Sequence, residues 1–300
     1  MPFRGLPGTG RIAILVWFAK EGLVKRIVVT GGSGKAGRAI VRDLLEHGYE
    51  VLNVDQAAPA ERLCPFLKAD LTDMGEAFEA FAGFDAIAHM AAIPAPGIFT
   101  EEVTFRANAS SIFNVFNAAA ALKIPKLVWA SSETTIGLPF DRTPPAYAPI
   151  DEEHPLHPES SYALSKVLGE EMARQFTRRF GIPIVSLRFS NIMEPGDYAA
   201  FPGFWKDAHL RKWNLWGYVD ARDVAQGVRL ALEKSLEGAP HMMLAAEDTV
   251  MDRPSLDLMK EVYPKVALKK KISGNETLLS IDRARSLLGY SPRWSWRTAR

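Results

Sequence analysis

Three hundred residues, 47% hydrophobic and 24% charged, describe a globular chain with material for one large domain or two modest ones, and exclude disorder and fibrous repeats. Thirty-six Lys and Arg against 35 Asp and Glu leave a formal charge of +1, so bulk electrostatics give no reason to expect nucleic acid or an anionic membrane as partner. Cys64 is the single cysteine and the six histidines form no Cys/His cluster, so no disulfide and no metal are expected, and a reducing cytoplasm is.

The longest apolar run, Ile12 to Ala19, falls far short of the roughly 20 residues of a membrane-spanning helix. Arg4 and Arg11 precede it as in a signal peptide, but Lys20-Glu21 stands where small cleavage-site residues belong. Lys20-Glu21-Gly22 can be encoded by AAG-GAG-GGN, a bacterial ribosome-binding sequence, and Val24 by GTG, an alternative start. Residues 1–23 are therefore expected to be a non-native or disordered extension, outside the functional reading.

From Lys25 short β-branched runs alternate with longer amphipathic stretches, the pattern of βαβ units in a doubly wound, parallel α/β sheet. Strands are expected at Arg26 to Thr30, Glu50 to Val54, Pro65 to Ala69, Ala86 to His89, Lys126 to Ser131 and Ile184 to Phe189. Helices are expected at about Lys35 to His47, closed by Gly48, and at Thr100 to Leu122 and Pro158 to Phe180. In the last, Leu164, Leu168, Met172, Phe176 and Phe180 recur at four-residue intervals and are expected to face the sheet. Beyond Glu194 an aromatic, Gly/Pro-punctuated stretch leads to a helix near Asp220 to Lys234, a short strand near Met242 to Ala245 and further helical pieces.

Thr30-Gly31-Gly32-Ser33-Gly34-Lys35-Ala36-Gly37 lies between the first strand and the first helix. Glycines 31, 34 and 37 permit a sharp turn, close approach to a pyrophosphate and tight helix–strand packing, while the helix N-terminus offers unpaired N–H groups to the anion. Asp55, at the end of the second strand, stands where a carboxylate accepts ribose hydroxyls and repels a 2′-phosphate, which favours NAD over NADP. Lys35 is not part of an ATP-type loop, because the Gly-Lys-Ser/Thr ending is missing.

Tyr162 and Lys166 stand at i and i+4 on one helix face. A phenol is a poor base at neutral pH, but a lysine cation and a positive nicotinamide ring both favour phenolate, so the pair can exchange a proton with an alcohol while hydride moves.

These residues and others in order resemble the extended short-chain dehydrogenase/reductases, the NAD-dependent epimerase/dehydratase family, from about Lys25 to the C-terminus, nearest to its uronate and sugar 1-dehydrogenase branch. Asp70-Leu71 is similar to the adenine-contacting segment, Met90-Ala91-Ala92 to the strand end beside the cofactor, and Asn108 to the helix asparagine of the proton network. Trp129-Ala130-Ser131-Ser132 with Gly137 resembles the serine-bearing fifth strand and makes Ser132 the implied catalytic serine, with Ser131 its rival. Leu187 to Asn191 and Tyr218 to Ala225 match later segments, and Leu288 to Pro292 a C-terminal one. The resemblance implies a Rossmann-type NAD-binding domain over 25–190 with 219–236 returning to it. A small substrate-binding region is implied over 191–218 and 237–300. Its implied catalytic set is Ser132, Tyr162, Lys166 and Asn108. The implied cofactor contacts are Gly31, Gly34, Lys35, Ala36, Gly37, Asp55, Asp70, Leu71, Met90, Ala91, Ala92, Asn108, Ser131, Tyr162 and Lys166. Asn108 keeps a second reading as a packing or capping residue.

Only Ile192 to Gly217 separate Asn191 from Tyr218, too little for a nucleotide-diphosphate clamp, so the expected substrate is a small sugar or sugar-like alcohol, contacted by Ser132, Asn191 and Tyr198. An epimerase or dehydratase of nucleotide-sugars is the alternative, and a non-catalytic NAD sensor is disfavoured by the intact Tyr162 and Lys166. Uronate dehydrogenases carry an arginine where Ala199 stands here, which puts bidentate carboxylate recognition in doubt. Lys206, Arg211 and Lys212 read first as solvated charges, His154 and His157 as loop residues, and the aromatics from Tyr198 to Tyr218 as packing before ligand contact. A homodimer through the two long helices is expected.

Overall fold

The computed structural model describes residues 24–298, so the expected extension at 1–23 lies outside the described residues. Its first half alternates strand and helix except between β2 and β3, which no helix separates: β1 (Arg26–Thr30), α1 (Lys35–Glu46), β2 (Glu50–Asp55), β3 (Phe66–Lys68), α2 (Met74–Phe81), β4 (Ala86–His89), α3 (Glu101–Ala121) and β5 (Lys126–Ser132). After the short β6 (Tyr147–Ala148) come α4 (Ser161–Phe180), β7 (Ile184–Phe189), β8 (Ile192–Met193), β9 (Val219–Asp220), α5 (Ala221–Glu233) and β10 (His241–Leu244). The chain ends through α6 (Ser255–Val262), β11 (Ala267–Leu268) and α7 (Asp282–Leu288).

Seven strands form one parallel sheet in the order β10-β7-β5-β4-β1-β2-β3. Strand side chains alternate between faces, and the two faces collect different helices. Ile27, Val29, Ala86 and Ala88 pack with Ile40, Val41 and Leu44 of α1 and with Val224 and Val228 of α5. Val28, Ile87, Leu127 and Trp129 pack with Phe81 of α2, Ile112, Val115 and Phe116 of α3, and Ala173 of α4. The order reverses beside β1, where β2 lies on one side and β4 on the other, and such a switch point opens a crevice at the carboxyl ends of the strands.

Besides the two-residue strands β6, β8, β9 and β11, two helices depart from the sequence reading. The helix α2 was not expected; its eight residues are capped by Asp73, whose side chain accepts from the Glu76 amide. Of the four-residue ladder on α4, Leu164, Leu168 and Phe180 are exposed and only Met172 and Phe176 pack, partly buried, against the core; the face buried most fully carries Ala163, Ser165, Gly169 and Ala173. A Cβ on Gly169 would meet the Trp129 ring at 2.5 Å, so only small residues let α4 lie this close to β5.

Candidate active site

The carboxyl ends of the parallel strands share one edge, and the segments leaving them line a cleft of about 1120 Å³. This exceeds the roughly 300–1,000 Å³ of ordinary small-molecule sites and leaves room for a dinucleotide beside a second ligand.

Gly31 leaves β1 with φ +67°, and a Cβ there would meet the Ala91 amide nitrogen at 2.6 Å; one on Gly37 would overlap the Gly31 carbonyl. These two glycines close the turn. Gly34 differs: a Cβ would meet only the Gly31 carbonyl, at 3.3 Å, so the backbone here is open to the cleft it lines. The helix α1 starts at Gly34 without a side-chain cap, whereas Asp73, Ser160 and Asp220 cap α2, α4 and α5. Uncapped N–H groups on an open glycine turn fit a pyrophosphate. Asp55 accepts from the Ser33 amide at 3.0 Å and, half-buried, lines the same cleft with Ala36, Asp70, Leu71, Met90, Ala91 and Ala92. Hydrogen bonds from the Thr72 amide and hydroxyl hold the Asp70 carboxyl below its usual range. Lys35 also lines the cleft, but its ammonium lies 2.5 Å from Asp197, and Arg38 reaches Glu194 at 2.8 Å, tying α1 to the 3₁₀ segment Pro195–Phe204.

At the other end, Ser131 and Ser132 point apart. Ser131 donates to Glu170 at 2.6 Å, and Glu170 holds the buried Arg188 guanidinium at 2.7 and 2.8 Å. The Ser132 hydroxyl accepts from the Thr134 amide at 3.1 Å and lies beside the Tyr162 phenol, favouring its ionised form. Tyr162 is 8% exposed, and burial pushes it up to about 12. Burial pushes Lys166 down to about 7; its ammonium donates to the Ala130 carbonyl at 2.7 Å and lies 5.5 Å from the centre of the Tyr162 ring. Behind this pair, His89 meets the Thr30 hydroxyl at 2.8 Å, and burial holds its ring neutral, down to about 3.

Asn108 lines the cleft, but its amide grips the backbone of Ile93, accepting from its N–H at 2.8 Å and donating to its carbonyl at 3.1 Å. It shapes the loop after β4. Asn191 lines the cleft near Ser132. Tyr198 is not among the lining residues; its hydroxyl donates to Asp220. The aromatic stretch is mostly packing, with Phe201, Trp216 and Tyr218 buried, while Trp213 reaches the cleft. His154 is a buried loop residue that accepts from the Ala146 amide at 3.0 Å.

Two residues of the site, and one behind it, were not foreseen. Glu133, directly after Ser132, is 3% exposed and pushed up to about 7 by burial. Ser190 shares its part of the cleft. Arg211, expected as a solvated charge, is instead 6% exposed, its guanidinium stacked on Phe204 and Trp213. The aromatic crowding around it was the available signal.

The sequence model of the NAD dependent epimerase/dehydratase family matches residues 27–245. The chain is 29% identical over 222 residues to an L-arabinose 1-dehydrogenase (NAD(P)(+)) of Haloferax volcanii, covering 72% of this chain and 85% of that one. It is 32% identical over 170 residues to a uronate dehydrogenase of Pseudomonas putida, covering 55% and 60%. With a UDP-glucose 4-epimerase of Corynebacterium glutamicum it shares 27% over 176 residues, 56% and 51% of the two chains. The chain thus spans only half to three fifths of the last two relatives. Among solved structures, a short-chain dehydrogenase/reductase superfamily protein from Agrobacterium tumefaciens with bound NAD matches with a TM-score of 0.71 and 23% identity, covering 91% of this chain and 94% of that one, a likeness of fold.

Proposed function

Because the chain belongs to the NAD dependent epimerase/dehydratase family and NAD is its cofactor, we propose that it oxidises a small sugar or sugar-like alcohol, in the cytoplasm and as a homodimer. The observation that carries this reading is the Ser132 hydroxyl beside the Tyr162 phenol, with the Lys166 ammonium behind, at the end of the cleft that opens on Gly34. The short Ile192–Gly217 segment supports a small substrate.

When bound, NAD supplies the hydride acceptor. Gly31, Gly34, Ala36 and Gly37 would hold its pyrophosphate, Asp55 its adenosine ribose, and Asp70, Leu71, Met90, Ala91 and Ala92 the walls beside it. In the proposed reaction Ser132 donates to the substrate oxygen and orients it. Tyr162 as phenolate takes the hydroxyl proton while the carbon loses hydride, leaving a carbonyl. In its protonated form Lys166, 5.5 Å from the centre of the Tyr162 ring, favours phenolate.

The test is NADH formation by purified enzyme against a panel of free aldoses, uronates and nucleotide-sugars. NADH from a free sugar is expected; turnover of nucleotide-sugars alone would refute the reading. The 27% identity to a UDP-glucose 4-epimerase favours one alternative, a nucleotide-sugar epimerase or dehydratase with tightly bound NAD, which would interconvert sugars without net NADH.

A further inference from the structure

Trp213 borders the cleft, and none of the steps above uses it. Its indole is partly buried, with the Arg211 guanidinium 4.7 Å from the ring centre. Arg211 is 6% exposed, does not line the cleft and donates to the Gly217 carbonyl at 3.1 Å. The indole therefore stands between a fixed guanidinium and the open cleft, one face covered and the other side left to a ligand. Leu138, Pro139 and Ile192 line the cleft as well, and none of them brings a side-chain donor or acceptor. An aromatic ring in such a wall suits C–H bonds rather than hydroxyls.

The one-turn segment Lys212–Asn214 that carries this ring is tied on several sides. The Lys212 ammonium lies 3.3 Å from Asp141, and the Lys212 carbonyl accepts from the Tyr263 hydroxyl at 3.3 Å. The Asn214 amide donates to the Gly217 carbonyl at 2.8 Å and to Glu133 Oε1 at 3.2 Å. Directly after, Leu215 and Trp216 both turn left-handed, with φ of 52° and 56°, a conformation that non-glycine residues keep only where the surroundings impose it. Glu133 follows Ser132, and its carboxyl also stands by the Ser190 hydroxyl and the Asn191 amide, which favour its charged form. Closed within the protein, Glu133 joins the end of β5 to the segment that holds the indole.

A sugar ring presents a preformed patch of C–H bonds on one face, whereas an open-chain polyol must freeze its torsions to lay the same atoms on the indole. We propose that Trp213 is the platform on which the ring of a closed sugar stacks, with Glu133 and Asn214 the positioning pair that sets its place relative to Ser132. The substrate class of the site is then the cyclic sugar rather than its open-chain polyol. This rests on the dehydrogenase reading above.

The test compares D-glucose, D-galactose and L-arabinose, each with its alditol, as kcat/KM in the NADH assay and as affinity by calorimetry on NAD-loaded enzyme. Wild type is expected to bind at least one aldose about 10-fold or more tightly than its alditol. Trp213→Ala should raise KM for that aldose about 10- to 100-fold, change kcat far less and erase the preference over the alditol. Trp213→Phe keeps a ring and should recover most of the loss. Glu133→Gln retains an acceptor for the Asn214 amide and should leave KM near wild type, whereas Glu133→Leu removes it and should raise KM, with NAD affinity and melting temperature confirming the fold. An alditol bound as tightly as every aldose, or a KM unmoved by Trp213→Ala, overturns the platform; a KM unmoved by Glu133→Leu overturns the positioning pair. If no aldose yields NADH, the dehydrogenase reading fails by itself. Calorimetry then decides the platform: an aldose bound more tightly than its alditol only while Trp213 is present supports it, and equal or absent binding overturns it.

Discussion

Tyr162 is held almost dry against Ser132 and, in the proposed reaction, takes the substrate's hydroxyl proton. Tyr162→Phe keeps the ring and deletes the acid, so kcat is expected to fall about 10²- to 10⁴-fold while NAD affinity, read by fluorescence titration, stays unchanged. Unchanged turnover would remove Tyr162 from the mechanism. Burial raises this phenol to about 12, so across the neutral range the phenolate is the minor form and its fraction grows with pH. Between pH 6 and pH 9 Lys166 loses its charge and Glu133 gains one, each through about 7 and each disfavouring phenolate, so the rate of oxidation should climb more shallowly than the roughly tenfold per pH unit of an isolated phenol; a full tenfold per unit would leave both groups out of the site. Spacing alone puts Tyr162 and Lys166 on one helix face, whereas Ser132 was assigned through the family resemblance; the structure brings the three together at one end of the cleft. The burial of Glu133 and Arg211 was not legible, since charged side chains are usually solvated and nothing local in the sequence marks Glu133, while Arg211 is covered by the rings of Phe204 and Trp213.

At the scale of elements, α4 shows why a periodic apolar stripe is an ambiguous signal. The four-residue ladder was legible but its direction was not, because the sheet-facing side is fixed by how closely the helix must approach Trp129 and Gly169 admits that approach. The six sheet strands from β1 to β7 and the helices α1, α3 and α4 were readable from β-branched runs and glycine stops. By contrast α2 escaped, being short and signalled chiefly by its Asp73 cap. Gly169→Ala is expected to destabilise the fold by about 1–3 kcal/mol, because Trp129 is fully buried and has no room to yield; thermal melting checks it. Asp223 makes a comparable link, accepting from the Arg293 and Trp294 amides at 2.8 and 3.0 Å and so fastening the chain's end onto α5. Asp223→Ala leaves both amides unpaired and should cost about 2–4 kcal/mol. An unchanged melting curve in either variant would refute the corresponding contact as a source of stability.

For the whole molecule, the exposed Leu164, Leu168 and Phe180 of α4 lie on the same side as the exposed Phe113 of α3, which sits edge-on to Phe176 at 5.7 Å. Such a face on a water-exposed pair of helices supports the homodimer proposed above. Light scattering should give twice the monomer mass, and Leu164→Glu with Leu168→Glu should halve it; a monomeric wild type would refute the dimer. The account depends most on where the nicotinamide ring comes to rest. A crystal structure of the enzyme with NAD and its best sugar tests this directly. It should place the ring beside the Tyr162 hydroxyl, with the sugar's reacting oxygen shared between Ser132 and Tyr162. A ring elsewhere, or a sugar oxygen held by neither hydroxyl, would contradict the account.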